Sequence, residues 1–234
     1  MKLPWLDLKD EDENLGLIRL VKPLLPTAPR ILEAGACDCT DSIRFTKTWP
    51  ECYVYAFEPY AEHVNNAFGR NRIGQNLQVL VTQCALGATN GVVDFYYSHS
   101  SPGASGIYPD NLVNIDIPEY ILDSTKGDRN SIGYKDQKTE VTIRRADSFP
   151  YAQGKPEFAW LDAEGSELEI LKGASLILPG IRVIAVEVNF KEFRKGGVLF
   201  SELDEFLKEQ GFHILHIFGV GKVDWQTTAI YVRR

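Results

Sequence analysis

The sequence predicts an α/β fold organised around a mostly parallel β-sheet, on three observations. From residue 30 onward, short apolar runs alternate with stretches of helical periodicity. The connections between these runs are long enough to hold crossover helices, which join parallel strands. The last two runs, "FHILHIF" and "TTAIYVRR", lie so close in sequence that they are expected to pair antiparallel at the C-terminus.

The elements follow in order. Residues 12–25 ("DENLGLIRLVKPLL") are predicted as an amphipathic helix with Leu17, Leu20, Val21 and Leu24 on one face, shortened by Pro23. Pro26 and Pro29 set it apart, which divides the chain into a helical extension over 1–29 and a main domain over 30–234. "RILEAGA" is the first strand, and the helix in "DCTDSIRFTKTW" has Asp38 or Thr40 as its N-cap and Pro50 beyond its end. "CYVYAFE" is the second strand. Pro59 then opens a helix to about Asn71, with Ala61, Val64, Ala67 and Phe68 inward. "LQVLVTQ" is the third strand.

The strand-like "GVVDFYYS" and "EVTIRRAD" flank residues 98–140, whose length and turn-rich composition predict a lid or binding insert. Alternation resumes with "EFAWLDA", a short helix after Gly165, and "RVIAVEV". A helix over about 202–210 follows, with Ser201 at its start, a Leu203, Phe206 and Leu207 stripe, and Gly211 as its stop.

Composition narrows the function. A chain of 234 residues with 44% hydrophobic and 24% charged residues buries one ordinary globular core. The net charge of -7 opposes a nucleic-acid groove, which needs clustered Lys and Arg. No apolar run approaches the length of a membrane span, and "MKLPWLDLKDEDENLG" lacks a signal-peptide hydrophobic region, so a cytoplasmic protein is expected. Cys37, Cys39, Cys52 and Cys84 do not have zinc-finger spacing and are expected to be reduced and free.

In an open α/β sheet, ligands bind beyond the carboxyl ends of the strands. The first such loop reads "EAGACDC", where Gly35 lets backbone approach a ligand and the next helix offers unpaired N–H groups. It lacks the repeated glycines of a dinucleotide fingerprint, which disfavours NAD and FAD. Glu58 ends the second strand in "AFEP", a position from which a carboxylate accepts hydrogen bonds from a ribose diol.

These stretches, with "CALGATNGVVDFY", "GASGIY" and "WLDAEGSELEILKGA", occur in the order seen in FkbM-type methyltransferases, which the chain resembles over about residues 30–190. The resemblance implies a class I, Rossmann-like domain: a mostly parallel seven-stranded sheet with helices on both faces and an antiparallel C-terminal strand. It implies S-adenosylmethionine as cofactor and O-methylation of a small molecule such as a sugar, lipid or polyketide. Glu33, Gly35 and Ala36 would line the methionine end of the cofactor, Glu58 would hold its ribose, and Cys84 and Ala85 would lie beside the adenine. Ser105, in "GASGIY", matches a family turn that closes over the cofactor. The chain has Cys37 and Cys39 where the family usually has Asn and a second Gly, and Trp160 where it usually has Lys.

"WLDAEGSELEILKGA" places four carboxylates within ten residues. Ser166 and Glu169 are spaced as a capping box, and Glu167 lies where the helix dipole favours negative charge. Asp162 and Glu164 share one face if the strand continues through them, which leaves them available for chemistry. Asp162 is expected to be a base or a contact for the cofactor amine, Glu164 a base or substrate contact, and Glu187 a third acid on the same sheet edge. These three acids with Asn189 offer the oxygen donors that Mg²⁺ takes, but such sites have no fixed sequence spacing, and no metal is expected. Tyr108, Tyr120 and Tyr134 are candidates for an acceptor pocket, His63 is expected to be exposed, and His99 is an alternative base. The leading expectation is an O-methyltransferase acting on a hydroxyl; the rival is a catalytically lapsed module that binds a nucleoside or a partner, for which Cys39 and Trp160 speak.

Overall fold

The computed structural model describes residues 13–70, 73–97, 102–111, 137–218 and 226–233. Helix α1 (Glu13–Val21) precedes β1 (Arg30–Ala34), α2 (Thr40–Thr48), β2 (Tyr53–Phe57), α3 (Ala61–Gly69) and β3 (Val79–Thr82). Strands β4 (Ala85–Leu86), β5 (Gly91–Tyr97) and β6 (Gln137–Arg144) follow, then β7 (Phe158–Leu161), α4 (Glu167–Gly173) and β8 (Val183–Asn189). Helix α5 (Phe200–Glu209), β9 (Phe212–Ile217) and β10 (Gln226–Arg233) complete the described chain.

The main sheet has seven strands in the order β3-β2-β1-β7-β8-β10-β9. The first five are mutually parallel, and β10 runs antiparallel to both of its neighbours. This is the Rossmann-like arrangement that the resemblance implied. Strand order reverses at β1, which has β2 on one side and β7 on the other. Side chains alternate across the sheet as a period of two requires. Ile31, Val54, Phe158 and Val183 join the core beneath α1 and α2. Leu32, Tyr55, Ala159 and Ile184 join the core beneath α4 and α5. Each fully buried aliphatic side chain of this kind contributes roughly 1.5–3 kcal/mol of transfer free energy.

"GVVDFYYS" and "EVTIRRAD" form strands, but in a separate three-stranded sheet of order β4-β6-β5, with its own small core of Ala85, Phe95, Val141 and Ile143. The four cysteines are free. Among the described residues no helix is long and apolar enough to cross a membrane.

Helix ends depart from the sequence-based expectations in instructive ways. Helix α1 stops at Val21, because Pro23 breaks the hydrogen-bond ladder and turns Lys22–Leu24 into a 3-10 turn. Leu17, Ile18 and Val21 are buried, while Leu24 remains 39% exposed. In α3 the chain starts its helix after Tyr60, so His63 and Ala67, four apart, face inward. His63 is only 5% exposed and Phe68 is 50% exposed, the reverse of what the sequence suggested. Cys39 is the N-cap of α2, in the left-handed region, and the Asp38 carboxylate accepts hydrogen bonds from the N–H and hydroxyl of Thr40. Helix α5 begins after Leu199, whose N–H is accepted by the Glu202 carboxylate.

Candidate active site

At the strand-order switch, the β1 and β7 carboxyl ends are drawn together. Asp162 N–H donates to the Ala34 carbonyl at 3.0 Å, and the N–H groups of Gly35 and Ala36 both donate to the Phe57 carbonyl. Gly35 has φ +84°, and a Cβ there would fall 1.7 Å from the Asp162 carbonyl oxygen. Only glycine fits this crossing. The cleft above it is lined by Gly35, Cys37, Glu58, Ala85, Ser105 and Asp162, with Phe57, Leu86 and Phe95 supplying an apolar wall.

Glu58, at the end of β2, is nearly buried and held from three directions. Its Oε2 accepts the Cys37 N–H at 2.9 Å, and its Oε1 accepts the Tyr60 N–H at 2.9 Å and lies 3.1 Å from His63 Nδ1. Burial opposes charging of the His63 imidazole. Hydrogen bonds with Cys37 and Glu58 override that and bring its pKa from 6.5 to about 10. His63 and Cys37 both line the cleft. Sequence reasoning missed this pairing, although His63 lies five residues after Glu58 at the start of a helix, where such a contact is within reach.

The acidic stretch after β7 divides. Glu167 is fully buried and folds back, its Oε1 accepting the N–H groups of Ala163 (2.9 Å) and Gly165 (3.2 Å). The expected Ser166–Glu169 capping box does not form. The Ser166 hydroxyl donates to the Ala163 carbonyl, and Glu169 instead pairs with Lys172 at 2.7 Å on the surface. Glu164, in the left-handed region at φ +56°, is bound by Arg194 through Nε (3.0 Å) and Nη2 (2.5 Å). Arg194 also reaches Asp110 Oδ1 at 2.5 Å and the Ala104 carbonyl at 3.3 Å. This arginine, 4% exposed and unforeseen in the sequence, staples the β7 loop, the β8 loop and the 102–111 segment together. Asp162 opens into the cleft, while the protein packed around it and the Glu164 and Glu167 carboxylates drive its pKa upward.

Of the residues singled out in sequence, Gly35, Glu58, Ala85, Ser105 and Asp162 meet in one cleft. Glu33 does not line it: the side chain is buried beneath α2, where it meets the Ser42 hydroxyl, and burial pushes its carboxyl well up. Ala36 and Cys84, next in sequence to the cleft residues Gly35 and Ala85, are buried and do not line the cleft. Glu164 and Glu187 stand beside Asp162 without lining the cleft. Ser105 arrives on a segment anchored to β5 by paired backbone hydrogen bonds between Tyr96 and Gly106. Tyr108 lines a second hollow with Leu168, Glu192 and Gly197. Of the insert over 98–140, residues 98–101 and 112–136 lie outside the described residues, and with them His99, Tyr120 and Tyr134. Trp160 is packed edge-on against Phe45 (5.2 Å between centroids) and Phe158 (6.3 Å), so it serves the core and leaves the cleft clear.

Comparison with known proteins places these features in a family. The model of the FkbM methyltransferase domain matches residues 33–214. The methyltransferase sdnD of Sordaria araneosa is 28% identical over 161 residues, covering 64% of this chain and 61% of that protein. The chain thus spans less than two thirds of that relative's length. The 2-O-methyltransferase NoeI of Sinorhizobium fredii is 25% identical over 180 residues, covering 76% of this chain and 70% of its own. Two solved structures share the fold at 11% identity and a TM-score of 0.51. One is a putative rRNA-methylase from Clostridium thermocellum, with 96% of this chain and 97% of that chain covered. The other is the N-terminal domain of EvdMO1, in the presence of SAH and D-fucose, with 97% and 85% covered. With a family model matched across most of its length, the chain belongs to the FkbM methyltransferase family.

Proposed function

We propose that this protein transfers the methyl group of S-adenosylmethionine to a hydroxyl of a small molecule. The observation that carries the reading is the Asp162 carboxylate opening into a cleft at the strand-order switch, where Gly35 removes the side chain that would obstruct it. When bound, S-adenosylmethionine supplies a methyl group activated by its sulfonium. The residues present fit it. Phe57, Ala85, Leu86 and Phe95 offer an apolar wall to the adenine. An ionised carboxylate has about four lone-pair sites. Cys37, Tyr60 and His63 engage Glu58 and leave room for a ribose hydroxyl.

Much of the rate in a direct displacement comes from alignment. The cleft supplies it by fixing Gly35, Glu58 and Asp162 on strand ends rather than on loose loops. Asp162 takes the acceptor proton, and a carboxyl with its pKa driven upward is a better proton acceptor than an ordinary one. Glu164, occupied by Arg194, sets the shape of the loop instead of acting as the base. The name of NoeI, a 2-O-methyltransferase, supports a hydroxyl as acceptor. Its class is best sought among glycosides and other polyhydroxylated small molecules.

Calorimetry with S-adenosylhomocysteine and with NAD⁺ tests the cofactor, and S-adenosylhomocysteine alone should bind. Transfer of labelled methyl to a panel of hydroxylated small molecules tests the reaction. Asp162→Asn should lower that rate by roughly 10²–10⁴. Binding without transfer to any hydroxyl would favour the lapsed-module reading, and a full rate in Asp162→Asn would remove it as the base.

A further inference from the structure

At the edge of the cleft, the carboxyl ends of β7 and β8 gather carboxylate oxygens. The two strands are in parallel register, with Leu161 opposite Val186, so Asp162 and Glu187 follow as neighbours. Asp162, Glu164 and Glu187 each place a carboxylate oxygen within 4.8 Å of the others. Negative charges this close repel unless a cation or a proton stands between them. The Arg194 guanidinium lies against Glu164 and is shared with Asp110, which leaves Asp162 and Glu187 without an ion pair among the described residues.

A separate observation lies one step further along β8. Asn189 is two residues past Glu187, on the same face of the strand, and is 4% exposed. Its Oδ1 has no hydrogen-bond partner, and neither does Glu187 Oε2. Buried acceptors are ordinarily satisfied. Both orphaned atoms are oxygens, and both lack a donor or a cation.

We propose that Asp162, Glu187 and Asn189 bind a hard divalent cation, Mg²⁺ or Mn²⁺, at the rim of the cleft, with Glu164 adding negative charge beside it. Two carboxylates and an amide carbonyl are hard oxygen donors of the type these ions take. Around a Mg²⁺–O distance of ~2.1 Å, octahedral ligand oxygens lie about 3 to 4.2 Å apart, and the Asp162 and Glu187 oxygens, within 4.8 Å of each other, approach that spacing. Three protein ligands leave coordination positions open. Asp162 lines the cleft, so water or hydroxyl oxygens of a molecule in the cleft could complete the shell. Cation binding does not depend on the methyl-transfer reading.

The test uses the full chain and Mn²⁺, with free ion followed by electron paramagnetic resonance. The parent protein should bind Mn²⁺ saturably, and excess Mg²⁺ should displace it. Glu187→Gln and Asn189→Leu should each weaken binding by about 10-fold or more. Asn189→Asp, which keeps an oxygen donor and adds charge, should retain it, and Glu169→Gln on the surface should not alter it. Absence of saturable binding at millimolar Mn²⁺ would overturn the proposal. So would equal affinity in Glu187→Gln and parent, which would leave a proton shared between Glu187 and its neighbours as the occupant. Mn²⁺ binding in a protein that fails to bind S-adenosylhomocysteine would uphold the cation site while defeating the cofactor reading.

Discussion

Glu167 and Glu169 belong to one acidic run and meet opposite fates, and their substitutions should show it. Glu167 satisfies two backbone N–H groups from a buried position, so Glu167→Ala should cost about 1–3 kcal/mol by leaving both donors unpaired. Glu169→Ala loses only a surface pair with Lys172 and should change stability by less than about 0.5 kcal/mol. Urea denaturation of the two variants checks this, and equal losses would refute the assignment. His63 makes a pH-dependent prediction. Its folded pKa of about 10 lies above the unfolded 6.5, so the stabilisation is complete below pH 6.5 and is lost as pH rises through about 10. The groups facing it are Glu58, Cys37 and the Tyr60 ring, whose centroid is 5.0 Å away. His63→Gln should therefore be least stable relative to the parent near pH 6, with the gap closing toward alkaline pH. A gap that stays constant with pH in denaturation midpoints would show that the imidazole does not hold a proton there. Neither residue was legible in the sequence, because spacing does not reveal which of several acids turns inward, nor which partner awaits a histidine.

Among the elements, strand interiors and helix existence follow from periodicity, but ends and neighbours do not. The run "FAWL" reads as a strand from its apolar content alone. That Trp160 within it would pack under α2 rather than enter the cleft depends on Phe45 and Phe158. Likewise, "GVVDFYYS" reads as a strand, while its membership of a second sheet is decided by pairing with β6. The β1–α2 turn is the element on which the site depends most. Gly35→Ala places a methyl group against the Asp162 carbonyl and forces alanine into a left-handed conformation. The cost should be about 2 kcal/mol or more, with loss of S-adenosylhomocysteine binding. An alanine variant of parental stability and affinity would show that the two strand ends part easily. Glycine at this position was legible from the strand-turn-helix pattern; the backbone it crosses was not.

For the whole molecule, the cleft draws on β1, β2, β4, β5, the 102–111 segment and the β7–α4 loop, so ligand binding should stabilise the fold globally. At a ligand concentration of about 100 times Kd, S-adenosylhomocysteine should add about 2.7 kcal/mol. For a domain of this size that corresponds to a rise in Tm of roughly 5–10 °C, measurable by calorimetry. A Tm unchanged by saturating ligand would count against the cleft as its site. The Arg194 staple ties the segment carrying Ser105 to the loops after β7 and β8, which gives the cleft and the acidic cluster a common support.

By itself, the sequence determined the α/β class, the strand order of appearance, the family, and the turn where Gly35 must be glycine. These are carried by local periodicity and by short motifs, which survive without knowledge of what lies opposite. Only the tertiary structure decided that Glu164 belongs to Arg194, that Glu58 is engaged by His63, and that Asp162, Glu164 and Glu187 share a corner. Those contacts join residues from different elements. Charge, burial and metal-binding geometry depend on distances in space, which the order of residues along the chain does not specify.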